Sequence, residues 1–245
     1  MKKKMAIIDS GIGGTSLLGE ILSRELSCEI YYQADSKNVP YGEKSQEFML
    51  ERMRTMIDLL PPVEAIIIAC NTLTVETINI LRQGSTVELF GVEPFIKYIH
   101  KANLEEKVGL ILTPATYRSQ RLKNLIELYD CENKITIIPL VKLALLIEDY
   151  RHINWEEIKT ELNPVKDAKL DKLILGCTHY PLIKPFIEAY LGLETIDPNP
   201  AVVNHIVSSL KLESGESSVF YRFNLDEKWK ENLELPLIDS KGVKL

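Results

Sequence analysis

The chain has 245 residues, 45% of them apolar and 26% charged, the proportions of a soluble globular protein long enough for one large domain or two of ordinary size. A formal net charge of −6 disfavours a nucleic-acid-binding surface, and no apolar run reaches membrane-spanning length. The basic opening MKKK is followed by an apolar stretch too short for a secretory signal, broken by Asp9 and glycines, so a cytoplasmic protein without membrane contact is expected.

In chain order, Met5–Asp9 reads as a short buried strand, followed by the glycine-rich turn SGIGG and a helix over Ser16–Leu26. The spacing G-I-G-G fits neither a dinucleotide fingerprint nor a P-loop. What the turn offers is Asp9 and Ser10 at a strand's carboxyl end, beside a helix N-terminus. EIYYQA is a strand, and the polar loop DSKNVPYG holds Tyr41 between Pro40 and Gly42, a placement that suits a ligand wall. A helix over Ser45–Leu60 stops at Pro61-Pro62. Ala65–Ala69 is an apolar strand with Cys70 just past its end. NTLTVETINILRQ then reads as a helix with Thr72 or Thr74 near its start. Cys70 therefore faces a helix's positive end, an environment that lowers a thiol's pKa from its usual value of about 8.5. The strand VELFGVE and a helix from Pro94 to about Ala102 complete this part.

A second α/β set begins near Lys107. VGLILT is a strand, and PATYRSQRLKNLIELYD is one helix with Thr116 exposed at its start. ITIIPL is a strand, LALLIEDYRHINWEEIKTEL is largely helical, and KLILG repeats the pattern of the earlier strand, with Cys177 just beyond it. A helix after Pro181, a strand–turn–helix over ETIDPNPAVVNHIVSSLKL, and a strand followed by a short helix in SSVFYRFNLDEKWKENLEL come last, with PLIDSKGVKL unassigned. Alternating strands and helices argue for an α/β fold of two similar domains, each a mainly parallel sheet flanked by helices. Residues 1–93 with about 205–245 form the first domain and 94–204 the second, with the active site in the cleft between them.

The four cysteines contain no CxxC pair and no zinc-like spacing with histidine, so neither a disulfide nor a metal is expected. Cys28 and Cys131 read as buried small hydrophobes, and His100, His152 and His205 as surface or packing residues. Cys70 and Cys177, each after an apolar strand and a small residue, suggest a two-thiol site. Racemisation suits such a pair, since one base on each face removes a proton from one side of a carbon and returns one to the other. Backbone N–H groups at helix starts and the side chains of Asn71, Thr72, Thr116 and Thr178 are candidate donors to a substrate carboxylate.

Four stretches, DSGIGG (Asp9–Gly14), VPYGEKS (Val39–Ser45), ACNT (Ala69–Thr72) and GCTHYPLI (Gly176–Ile183), resemble the glutamate racemases of the aspartate/glutamate racemase superfamily in order and rough spacing. The resemblance implies a cofactor-independent, cytoplasmic enzyme that interconverts L- and D-glutamate, supplies D-glutamate for peptidoglycan, and forms a homodimer. It also implies that Cys70 takes the proton from the D-enantiomer with help from Asp9. Cys177 takes it from the L-enantiomer with help from His179. Ser10, Tyr41, Gly42, Asn71, Thr72, Thr178 and His179 line the substrate site.

The chain departs from that pattern in several runs. GVEP is one residue short, LTPAT has Leu112 in place of a glycine, Ala34 replaces another, and RFNLD replaces a TSGD-like turn. In PLVKLALLIEDY, Lys142 falls where the family has an assisting glutamate, which leaves Glu148 or no assistant at all. Two further readings stay open: a racemase for aspartate or another acidic amino acid, and a weakly catalytic relative acting by partner binding.

Overall fold

A computed structural model describes residues 2–100, 106–129, 134–231 and 233–235 and divides the chain into two compact units. Cys131, the expected helix ends at Ala102 and Asp130, and the PLIDSKGVKL stretch lie outside the described residues. Along the chain the elements are β1 (Lys3–Asp9), α1 (Thr15–Leu22), β2 (Cys28–Ala34), α2 (Gln46–Asp58), β3 (Ala65–Ile68), α3 (Asn71–Arg82) and β4 (Glu88–Gly91). There follow β5 (Val108–Leu112), α4 (Pro114–Arg118), α5 (Gln120–Leu128), β6 (Ile135–Pro139), α6 (Leu143–Glu148), α7 (Trp155–Asp167), β7 (Lys172–Gly176), α8 (Lys184–Leu191) and β8 (Glu194–Ile196). The last are α9 (Asn199–Leu210), β9 (Ser218–Arg222) and β10 (Lys230–Glu231). No helix among the described residues is long and apolar enough to cross a membrane.

The first unit, Met1–Val92 with Asn199–Leu235, holds a sheet of order β10-β9-β2-β1-β3-β4, parallel except for β10. Its continuous apolar strands are explained by burial on both faces. Met5 and Ile7 of β1 and Ala65 and Ile67 of β3 point into one cluster with Leu17, Leu18 and Ile21 of α1 and Val203 and Ile206 of α9. The alternate residues Ala6, Ile8, Ile66 and Ile68 point into the other, with Met49, Met53 and Met56 of α2 and Leu73 of α3. The second unit contains Glu93–Pro198 and a parallel sheet of order β6-β5-β7-β8. On one face of it Val108, Leu110, Leu112 and Ile174 pack against Leu122 and Leu125 of α5. The α/β class with mainly parallel, helix-flanked sheets is as the sequence led us to expect.

Three local readings are corrected. The expected single helix over 114–130 is two, because Ser119 is extended (φ −65°, ψ 143°) and caps α5, its hydroxyl accepting from the Leu122 N–H at 3.1 Å. Thr116 is buried rather than exposed, its hydroxyl 3.0 Å from that of Thr113, the α4 cap. The short helix expected after β9 is instead a two-residue strand, Lys230 and Glu231 pairing antiparallel with Tyr221 and Phe220 while Trp229 meets Tyr31 edge-on.

Candidate active site

Each unit carries a set of polar side chains beyond the carboxyl ends of its central strands. In the first unit β1 ends at Asp9, and the register that pairs Ile8 with Ile68 brings Ala69 and Cys70 past the end of β3 beside it. The Ala69 N–H donates to the Ile8 carbonyl at 2.8 Å. Cys70 is the cap residue of α3, with its own φ −63° and ψ 120°, so Thr72 and Thr74 lie inside the first turn instead of capping it. The Ser10 hydroxyl donates to Cys70 Sγ at 3.4 Å. Asp9 is fully buried, and its Oδ2 accepts from the N–H groups of Gly11 (3.3 Å) and Gly14 (2.9 Å). Gly14 allows this, since a Cβ there would lie 3.0 Å from both Asp9 Cβ and Ala69 Cβ.

Asn71 opens α3 and is buried, and neither its amide oxygen nor its amide nitrogen has a hydrogen-bond partner among the described residues. A buried amide left unsatisfied costs about 1–3 kcal/mol. Tyr41 and Gly42 lie in a 3₁₀ turn, Tyr41–Glu43. Tyr41 packs in the buried cluster that contains Cys70 and Leu73. Its hydroxyl donates to Asp35 Oδ2 at 2.5 Å; burial and that carboxylate hold it well above the ordinary phenol range, so it stays a donor.

In the second unit β7 ends at Gly176, paired with Leu112 of β5, and Cys177, Thr178 and His179 follow, all buried. Cys177 Sγ lies 3.7 Å from His179 Nδ1, and His179 Nε2 lies 2.7 Å from Glu148 Oε2. Glu148 reaches there as the last residue of α6, which is anchored by buried Leu143 and Ile147. Lys142, where the family pattern would put a carboxylate, is exposed at the start of α6. Burial works against a charged imidazole, but Cys177 and the Glu148 carboxylate outweigh it and hold His179 well above the ordinary histidine range. Protonated, it gives one N–H to the carboxylate and presents the other to sulfur.

The tight pairing behind Cys177 depends on Gly176, where a Cβ would come 2.6 Å from the Ile111 carbonyl oxygen. Gly176→Ala is therefore expected to lower unfolding free energy by about 1–3 kcal/mol, the cost of overpacking, read from urea melts against wild type.

Sequence reasoning passed over Asp35 and Arg52, whose ion pair supports the Tyr41 turn (Arg52 Nη2 to Asp35 Oδ1, 2.7 Å). The signal available was an aspartate at a strand end, the same signal that drew attention to Asp9. The remaining histidines pack or lie exposed: His205 edge-on to Phe90, His100 to Tyr129, and His152 at the surface beside Asp149. Cys28 is buried, 3.2 Å from the Ser217 hydroxyl. Among the described residues no group of three His, Cys, Asp or Glu side chains is arranged to hold a metal ion.

Comparison with known proteins places these residues in context. A family model described as Asp/Glu/Hydantoin racemase matches residues 31–206. The chain is 33% identical over 216 residues to the glutamate racemase of Leptospira interrogans, covering 85% of this chain and 83% of that one. It is 34% identical over 252 residues to the glutamate racemase of Campylobacter curvus, covering 96% and 94%. Among solved structures, Escherichia coli glutamate racemase in complex with L-glutamate and the activator UDP-MurNAc-Ala superposes with a TM-score of 0.78 at 25% identity, over 90% of this chain and 89% of that one.

Proposed function

We propose that this chain, which belongs to the Asp/Glu/Hydantoin racemase family, interconverts L- and D-glutamate by proton transfer through Cys70 and Cys177. The chain is an isomerase of the racemase type; the substrate and the two-thiol route are our reading. The observation that carries it is the Cys177–His179–Glu148 chain of contacts, 3.7 Å and 2.7 Å, in one unit, together with Cys70 beside Ser10 at the matching strand end of the other. Both thiols are buried and neither is in a disulfide, which suits groups that must exchange a proton with carbon.

The route follows from the chemistry. A Cys70 thiolate removes the α-proton of D-glutamate and becomes a thiol. The electron pair left on the α-carbon spreads into the α-carboxylate, which the buried amide of Asn71 and backbone N–H groups stabilise. The Cys177 thiol then gives its proton to the opposite face, which yields L-glutamate and a Cys177 thiolate. The His179 imidazolium faces that sulfur and stabilises its charge, and Asp9 serves the Cys70 side. From L-glutamate the steps reverse. Ser10, Tyr41, Gly42, Thr72 and Thr178 complete the substrate site in this reading. It needs no cofactor. The setting that accompanies it is a cytoplasmic homodimer supplying D-glutamate for peptidoglycan.

Incubation in D₂O tests the reading. With either glutamate enantiomer the optical signal is expected to decay to zero. Deuterium is expected at the α-carbon, first in the product enantiomer, because a thiol carries one proton and the opposite thiol supplies the solvent-derived one. Exchange of aspartate without glutamate would move the substrate assignment to aspartate, and no exchange of any acidic amino acid would overturn the racemase chemistry proposed here.

A further inference from the structure

We infer that Asp35 and Arg52 are positioning residues for this reaction: a charge-neutral clamp that fixes the turn bearing Tyr41 and Gly42 and keeps a buried carboxylate from repelling an anionic substrate. The inference rests on the glutamate reading above.

Asp35 follows β2, and its N–H donates to the carbonyl of Asp9 at 3.2 Å, so it stands directly beside the end of β1. It is 1% exposed, yet carries a carboxylate. Among the described residues, the side-chain donors to that carboxylate come from the turn and from α2. Arg52 of α2 gives Nε to Oδ2 and Nη2 to Oδ1, both at 2.7 Å. The Tyr41 hydroxyl gives its proton to Oδ2 at 2.5 Å, and Asn38 Nδ2 lies 3.0 Å from each oxygen. The Asn38 N–H closes the turn onto the Asp35 carbonyl at 2.9 Å. One carboxylate thus ties a strand end, a turn and a helix together, and holds Tyr41 in the cluster shared with Cys70.

Stability alone does not account for this choice, because a buried ion pair is no better a stabiliser than apolar side chains of similar volume. What the carboxylate supplies is direction: it accepts from the phenol, the guanidinium and the amide at once, which fixes the turn in one conformation. The guanidinium supplies neutrality. Without it, a buried negative charge would stand next to Asp9 at the strand ends where an amino acid with two carboxylates is to bind. Like charges in a medium of reduced dielectric repel strongly. The clamp therefore bears on substrate affinity more than on proton transfer, which separates it from Asp9, Cys70 and Asn71.

The experiment is steady-state racemisation of L- and D-glutamate by the full-length protein, with thermal melts, for wild type, Arg52→Gln, Arg52→Lys and the double variant Asp35→Asn/Arg52→Gln. Arg52→Gln is expected to raise KM about tenfold or more in both directions while kcat falls less than about threefold. Arg52→Lys keeps the charge and is expected to recover most of the loss. The double variant removes both charges and is expected to have a KM at least about threefold below that of Arg52→Gln, the direction only charge balance gives. If Arg52→Gln does not fold, a KM for the double variant within about threefold of wild type supports the clamp, and a KM raised beyond that overturns it. A KM for Arg52→Gln within about twofold of wild type, or a double variant no better than the single one, overturns the inference while wild-type turnover of glutamate leaves the reading intact. A wild type that does not turn over glutamate removes the reading itself.

Discussion

Cys177→Ser is expected to lower glutamate racemisation by about 10³-fold or more in both directions, within the range that a positioned acid–base group contributes. A serine hydroxyl keeps the size of the thiol but is far too weak an acid to donate, or base to accept, at the α-carbon. The equilibrium constant between enantiomers is one, so kcat/KM falls equally from either side. The two thiols are distinguished by exchange rather than by rate. With Cys70 intact, D-glutamate still loses its α-proton to one face and regains a solvent deuteron on the same face, so deuterium enters recovered D-glutamate without inversion. L-glutamate in the same variant takes up little. Cys70→Ser is expected to give the mirror-image result. Proton NMR of the α-position in D₂O reads both. Retention of racemisation within about tenfold of wild type in either variant is incompatible with two-base transfer.

Glu148→Gln tests the charge behind Cys177. Glutamine keeps an oxygen that accepts from His179 Nε2, so the 2.7 Å contact survives in geometry and loses its charge. His179 is held above its ordinary range against the opposing effect of burial, by Cys177 and by Glu148. Withdrawing the carboxylate lowers its proton affinity, and each loss of about 1.4 kcal/mol in imidazolium stability costs a factor of about ten. The expected result is a kcat reduced about 10- to 100-fold at neutral pH and an alkaline limb of the pH–rate profile displaced to lower pH. Stability moves with the same sign. A histidine whose proton affinity is higher folded than unfolded contributes stability that is fully present below the free imidazole value of about 6.5 and lost as pH rises through the native value. The gap in unfolding free energy between wild type and Glu148→Gln should therefore be widest near pH 6, narrowing towards alkaline pH. A pH–rate profile that keeps its alkaline limb in place would show that the carboxylate does not act through His179.

Much of this arrangement was legible in the residues because it is local. Apolar runs ending in a small residue and a cysteine read as buried parallel strands with a thiol at the carboxyl end. Asp9 and Ser10 followed from the same logic at β1. What sequence left open depends on packing between distant segments. Glu148 sits 31 residues from His179, and only the six-residue helix α6, stopped at Asp149, decides that its last carboxylate meets the ring. Thr116 looked exposed because a helix start usually is, but the cap at Thr113 draws its hydroxyl inward. The run LDEKWKEN has helical composition, yet Arg222 stacks its guanidinium on Trp229 at 4.4 Å and the chain folds back as a strand. Asp35 and Arg52 were missed because their pairing joins a strand end to the middle of a helix, a relation no spacing announces.

The first unit borrows the two strands on one side of its sheet, β10 and β9, from the far end of the chain: β9 lies beside β2, with Gln33 paired to Arg222 across 189 residues. On a ribosome this sets an order of events. The four strands of the second unit's sheet come from one stretch of chain, β5 to β8, and all are in hand before β9 has been synthesised. The sheet begun first is thus the one completed last. Through most of translation the nascent protein carries β2 as an unprotected sheet edge, with Ile30 and Tyr32 not yet covered by their final neighbours.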